Sequence, residues 1–94
     1  MKYELEDTVN LMLSDDWRAR LKGEYLQAKI RLERLNNAIE NNVGNVDEDY
    51  FHGLQALLKK QRTDMESYVF ILEERIKFHA LTNYVNQPLN EEGM

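Results

Sequence analysis

The chain has 94 residues, with 12 Lys plus Arg against 17 Asp plus Glu and a formal charge of −5, so it fills one small domain and is not a generally basic coat for nucleic acid. Hydrophobic residues make up 43% and charged residues 31%, which excludes a disordered chain. With no Cys there is no disulfide framework, thiolate metal site or cysteine nucleophile; one Pro and four Gly leave few places to turn and favour long helices. No apolar run nears the roughly 18 residues of a membrane span, and the acidic start is unlike a signal peptide, so a cytosolic protein is expected.

Three helices are predicted, at about 3–13, 15–40 and 47–82. The first places Leu5, Val9 and Leu13 at i, i+4 and i+8, with Met12 beside them. Isolated helices below ~12–15 residues are marginal in water, so this one must dock on something. Ser14 is a candidate cap for the second helix, with Asp15 and Asp16 at its positive end. Asn41 to Asn45, including Gly44, stops that helix; Asn45 or Asp47 can cap the third. The outline is an all-α domain over residues 1–84: a short leading helix, then a long antiparallel helical hairpin. Residues 85–94 read as a flexible C-terminal tail.

On the second helix Trp17, Leu21, Ala28, Leu32, Leu35 and Ile39 share one side, and on the third Leu54, Leu58, Gln61, Met65, Tyr68, Leu72 and Ile76 do the same. These stripes can zip the hairpin. Each helix carries a second apolar strip nearly opposite: Ala19, Gly23, Leu26 and Ile30 on one, Phe70, Ile71 and Phe78 on the other. A lone hairpin can bury one face of each arm, so the second strips predict a homo-oligomer interface, with Gly23 admitting close approach of another helix. The competing reading is that the leading helix folds back over one of them.

Enzyme templates find no match. His52 and His79 lie 27 positions apart with no metal-ligand spacing, and Ser14 and Ser67 lack nucleophile surroundings. Asp47 to Asp49 are explained by helix capping, and Glu73 is spaced for a pair with Lys77. No metal site, cofactor or catalytic residue is expected.

Charge is uneven: residues 1–16 sum to −4, whereas 17–40 sum to +3. Arg18, Lys22, Tyr25 and Lys29 follow i, i+4, i+7, i+11 without an interrupting acid. Such a stripe is often a solvated face. It also suits a compact ligand with phosphates and bases, where Arg and Lys take phosphate oxygens and a tyrosine stacks on a purine. On that reading Arg18, Lys22, Lys29 and Arg31 meet phosphates, Tyr25 stacks on a base, and Tyr3 acts as a lid.

The stretch from Trp17 to Leu35, with Glu24-Tyr25 and Arg34-Leu35, and the run Leu57-Leu58 through Gln61, Met65, Tyr68, Leu72, Arg75 and Ile76 resemble a family of small helical phage proteins, the anti-CBASS sponges. Tyr25 and Arg34 stand slightly further apart than the family spacing; the likeness covers about residues 15–76. The resemblance implies a compact homo-oligomer, a hexamer favoured, that holds cyclic dinucleotides such as 3′,3′-cGAMP, and cyclic trinucleotides, in inter-subunit pockets. It implies sequestration without cleavage in the cytoplasm of an infected bacterium; the lack of a long apolar run and the net charge of −5 without an extended basic track argue against a membrane and against long nucleic acid as partners. The alternative is a helical interaction protein that docks a host or phage protein through the apolar strips; a third reading, a hydrolase using His79 with nearby acids, also stays open.

Overall fold

The computed structural model describes residues 3–41 and 48–88. A 3-10 turn at Leu5–Thr8 runs into α1 (Val9–Met12); α2 (Trp17–Asn41) and α3 (Glu48–Phe78) are the long arms; a short α4 (Thr82–Asn86) follows. No strand occurs among the described residues. Gln55 Nε2 donates to the Ile39 carbonyl at 3.2 Å, while the Tyr25 hydroxyl donates to Glu73 Oε2 at 3.0 Å, so α2 and α3 are antiparallel. The expected stop at 42–45 and the caps Asn45 and Asp47 lie outside the described residues.

The leading segment is tighter than expected. Its buried residues are Thr8 and Leu11, with Leu5 half-buried, whereas Val9 and Leu13 face solvent. Positions 5, 8 and 11 repeat every three residues, the period of a 3-10 helix, so the i, i+4, i+8 stripe does not face inward. Glu4 N–H donates to Asp7 Oδ2 at 2.8 Å and Thr8 Oγ1 to the Leu5 carbonyl at 2.6 Å, which closes this turn locally. At the start of α2 the capping side chain is Asp16, whose Oδ1 accepts from Arg18 N–H at 2.9 Å; Ser14 Oγ instead accepts from Asp16 N–H.

The main core joins Leu21 and Ala28 of α2 to Val69, Leu72 and Ile76 of α3 and Val85 of α4. A second cluster holds Leu11, Ala19 and Leu26. Leu35 is also buried, while Leu32 and Ile39 are half-buried and Trp17 is exposed at the rim, its ring 4.8 Å from His79. On α3 the inward rows differ from the expected stripe. Gln61 and Tyr68 face outward; Leu54 is half-buried, as is Glu73, and the other inward residues form two rows seven apart: Phe51, Leu58, Met65, Leu72, and Gln55, Arg62, Val69, Ile76. Polar Gln55 and Arg62 disguise the second row in the sequence, and the 3.5-residue repeat is that of paired long helices. Full burial is concentrated where α1 and α4 add to the hairpin; towards residue 51 the seam is two helices wide and its side chains are half-buried.

The third helix ends at Phe78, short of the expected 82. Ala80 takes φ 56°, Leu81 N–H bonds the Ile76 carbonyl at 2.9 Å and Ala80 N–H the Lys77 carbonyl at 3.0 Å, a Schellman ending with Ala in the left-handed position. The chain then turns back, burying Val85 and packing Leu81 and Tyr84 against the core. Residues 85–88 are therefore part of the folded body rather than a tail; 89–94 lie outside the described residues.

Candidate functional site

The site is built on one face of α2, where Tyr25, Leu26, Lys29, Ile30 and Glu33 recur at helical spacing. Tyr3 from the leading segment closes one side, and Val85, Asn86 and Pro88 close the other, around a half-open cavity of about 410 Å³. That is within the usual ~300–1,000 Å³ range of small-molecule sites. A second cavity of about 270 Å³ lies across Tyr25, Val85 and Asn86, bounded also by Glu73 and Lys77.

Tyr25 separates the two cavities. Its hydroxyl is fixed on Glu73, and burial, then the hydrogen bond to Glu73, push its ionisation above the ordinary tyrosine value, opposed by Lys29. Lys29 Nζ sits 5.3 Å from the Tyr25 ring centroid, a cation–π arrangement, while the side chain stays exposed. Ring face, ammonium and apolar floor (Leu26, Ile30) thus meet in one place. Glu33 adds a carboxylate on the same helix face.

The structure brings together three of the six expected ligand residues: Tyr3, Tyr25 and Lys29. Arg18 is elsewhere, paired with Asp16 through Nε at 3.2 Å and a terminal nitrogen at 2.9 Å, with its guanidinium 5.7 Å from the Tyr84 ring. Their mutual hydrogen bonds lower the Asp16 carboxyl and raise the Arg18 guanidinium. Lys22 is fully buried, its Nζ donating to the Gln87 carbonyl at 2.8 Å and the Tyr84 carbonyl at 3.4 Å, so a ligand in the cavity does not reach it. The C-terminal segment thus covers the Lys22 position of the i, i+4, i+7, i+11 stripe. Arg31 is exposed and does not line the cavity. Tyr68 is exposed; its hydroxyl donates to the Glu24 carboxylate, and this bond, then burial, raises its ionisation.

The expected interface divides. Ala19, Gly23 and Leu26 are buried beneath the chain's own leading segment, and Ile30 is half-buried in the cavity floor. A Cβ on Gly23 would fall 2.8 Å from Leu11 Cβ, so the close approach there is intramolecular. Phe70, Ile71 and Phe78 remain exposed, and Phe70 and Ile71 line a shallow groove with Thr63, Glu66 and Ser67. Glu73 serves Tyr25, and Lys77 pairs with Glu74 at 3.2 Å rather than with Glu73.

Sequence reasoning missed Glu33, Glu73, Val85, Asn86 and Pro88. The available signal was the spacing of Leu81, Tyr84 and Val85, a one-turn apolar face just past the long helix. Among the described residues no group of three or more His, Asp or Glu is placed to hold a metal ion, and no helix is long and apolar enough to cross a membrane.

No match is found among curated proteins or solved structures. The family model described as Sequestin matches residues 15–78, from the turn before α2 to the last residue of α3. That span holds the α2 side of the cavity and the whole hairpin seam, while Tyr3 and the segment 82–88 lie outside it. Two-thirds of the sequence is thereby accounted for, and the chain belongs to the Sequestin family.

Proposed function

We propose that this protein is a phage anti-defence sponge that binds cyclic oligonucleotide messengers, cyclic dinucleotides such as 3′,3′-cGAMP and also cyclic trinucleotides, without cleaving them, and so blocks CBASS immunity in the cytoplasm of the infected bacterium. The observation that carries the reading is the cavity in which Tyr3, Tyr25 and Lys29 converge over an apolar floor. Tyrosine faces stack on purines, and an ammonium at the rim takes a phosphate oxygen. The family's name, which speaks of sequestration, supports the same reading.

A cyclic dinucleotide carries two phosphates, and the described lining of the cavity supplies one lysine. A second copy of the chain completes the charge balance, and the uncovered Phe70, Ile71 and Phe78 give such copies an apolar surface to share. The assembly is a homo-oligomer, a hexamer favoured. Silencing a messenger at sub-micromolar levels requires about nanomolar affinity, near −12 kcal/mol, which a rigid cavity reaches more readily because few groups are ordered on binding.

Isothermal titration and native mass spectrometry with 3′,3′-cGAMP and a cyclic trinucleotide test the proposal. Stoichiometric binding by an oligomer, with intact nucleotide recovered after denaturation, is expected. Absence of heat and of bound mass for every cyclic nucleotide overturns it, and a linearised product would make the protein a phosphodiesterase. The same exposed Phe70, Ile71 and Phe78 favour a second reading, a helical adaptor for another protein. Stoichiometric co-purification of one host protein by a chain that ignores nucleotides would select it.

A further inference from the structure

Helix α4 has five residues and no side-chain N-cap, far below the ~12–15 residues at which a helix holds alone in water. It is kept in place by apolar packing, with Val85 buried in the core and Leu81 and Tyr84 packed against it, and by polar contacts, chief among them those of Lys22. At the end of α4 the chain leaves the helix at Gln87, whose N–H bonds the Tyr84 carbonyl at 3.3 Å, and beyond it no further helical turn follows. Lys22 reaches from α2 to the carbonyls of Gln87 and Tyr84, and its Nζ also lies 5.4 Å from the Tyr84 ring centroid. The dependence runs both ways, since a buried ammonium is costly without hydrogen-bond acceptors. The Gln87 carbonyl also accepts from the Tyr3 hydroxyl at 3.4 Å, so one oxygen joins the leading segment, α2 and the C-terminal segment.

That junction borders the cavity. Tyr3 forms one wall, and Val85, Asn86 and Pro88 the other, and Lys22 touches neither the cavity nor solvent. Removing the segment 82–88 would merge the 410 Å³ and 270 Å³ cavities, which share Tyr25, Val85 and Asn86, into an open groove. We propose that Lys22 is a positioning residue: its buried ammonium clasps the segment 82–88 onto α2 and so builds the wall of the Tyr3–Tyr25 cavity. The clasp stands on geometry alone; its consequence for nucleotide affinity rests on the sponge reading.

Hydrogen exchange without nucleotide tests the clasp. In Lys22→Met, the amides of Val85 and Gln87, bonded to the Leu81 and Tyr84 carbonyls, are expected to exchange about tenfold faster or more, as loss of a charge-assisted hydrogen bond predicts, while those of Leu72 and Ile76 keep their protection. Unchanged exchange over 82–88 overturns the proposal. Should that variant fail to fold, acetic anhydride labelling of the unaltered protein decides: Lys22 is expected to react at least about tenfold more slowly than Lys29, with faster exchange over 82–88 in the labelled fraction. Equal reactivity overturns the clasp. With 3′,3′-cGAMP, Lys22→Met should weaken binding about tenfold or more at unchanged melting of the hairpin, and Lys22→Arg, which keeps the donors and charge, should restore part of it. If the unaltered protein binds no cyclic nucleotide, the sponge reading fails while the exchange result still decides the clasp.

Discussion

Two helical glycines, Gly23 in α2 and Gly53 in α3, should respond to alanine with opposite signs. Each gains about 0.5–1 kcal/mol from the lower conformational freedom of alanine in the unfolded chain. At Gly53 nothing lies within 4 Å of the added Cβ, so Gly53→Ala keeps the whole gain. At Gly23 the Cβ meets Leu11 Cβ at 2.8 Å, Met12 Sδ at 3.1 Å and Met12 N at 3.2 Å. Leu11 Cβ and Met12 N belong to or adjoin the backbone, so a rotamer change does not relieve them; the leading segment must lift as a unit. Overpacking of this kind costs about 1–3 kcal/mol. Because the propensity gain is common to both variants, their difference isolates the clash: about 1–3 kcal/mol, or at least ~4 °C in Tm for a domain of this size. Thermal melts by far-UV circular dichroism measure it, and hydrogen exchange should show residues 5–13 released in Gly23→Ala alone. A Gly23→Ala chain that melts at or above Gly53→Ala would refute the close approach of α1 to α2.

Ala80→Gly should raise Tm slightly. The left-handed conformation costs an L-residue roughly 1–2 kcal/mol, against about 0.5–1 kcal/mol for the extra freedom of glycine, and a lower Tm would deny that the helix ends there. Leu72→Ala, at a fully buried position, should cost about 2–5 kcal/mol in denaturant unfolding; a loss below 1 kcal/mol would place Leu72 outside the core. Asp16, held low by Arg18, contributes stability above its ordinary pKa of 3.8 that is lost as pH falls further, so Asp16→Asn should be less stable at neutral pH and converge with the unaltered protein in acid. Parallel acid curves would contradict the cap. Tyr25, raised by burial and then by Glu73, contributes stability that is complete below pH 10.0 and lost as pH rises through its folded value; Tyr25→Phe should show a shallower alkaline loss, and an identical curve would count against the burial of the hydroxyl together with its Glu73 bond.

Much of the architecture was legible because long helices write their period into the chain. Leu21, Ala28, Leu35, Leu72 and Ile76 are inward as their spacing predicts. Errors fell where a local rule changes without a conspicuous residue. The leading segment winds as 3-10 before it becomes α, so Thr8 and Leu11 replace Val9 and Leu13 inside. Ala80 ends α3 where glycine would have announced the stop, so the helix closes four residues before the expected 82.

For the site, the α2 half was readable: Tyr25 and Lys29 are one turn apart and no intervening contact removes them from the cavity. Lys22 and Arg18 belong to the same stripe, yet one is engaged by carbonyls 62 and 65 residues away in sequence and the other by Asp16. Period and charge in the sequence determined that two rods pair along an apolar seam and that one face of α2 carries cations beside a tyrosine, because both are properties of residues within a few turns of each other. Which cations remain available, which apolar strip is covered and where a cavity closes were decided by the return of the leading segment and of residues 82–88 onto α2, since burial depends on long-range contacts that no local spacing encodes.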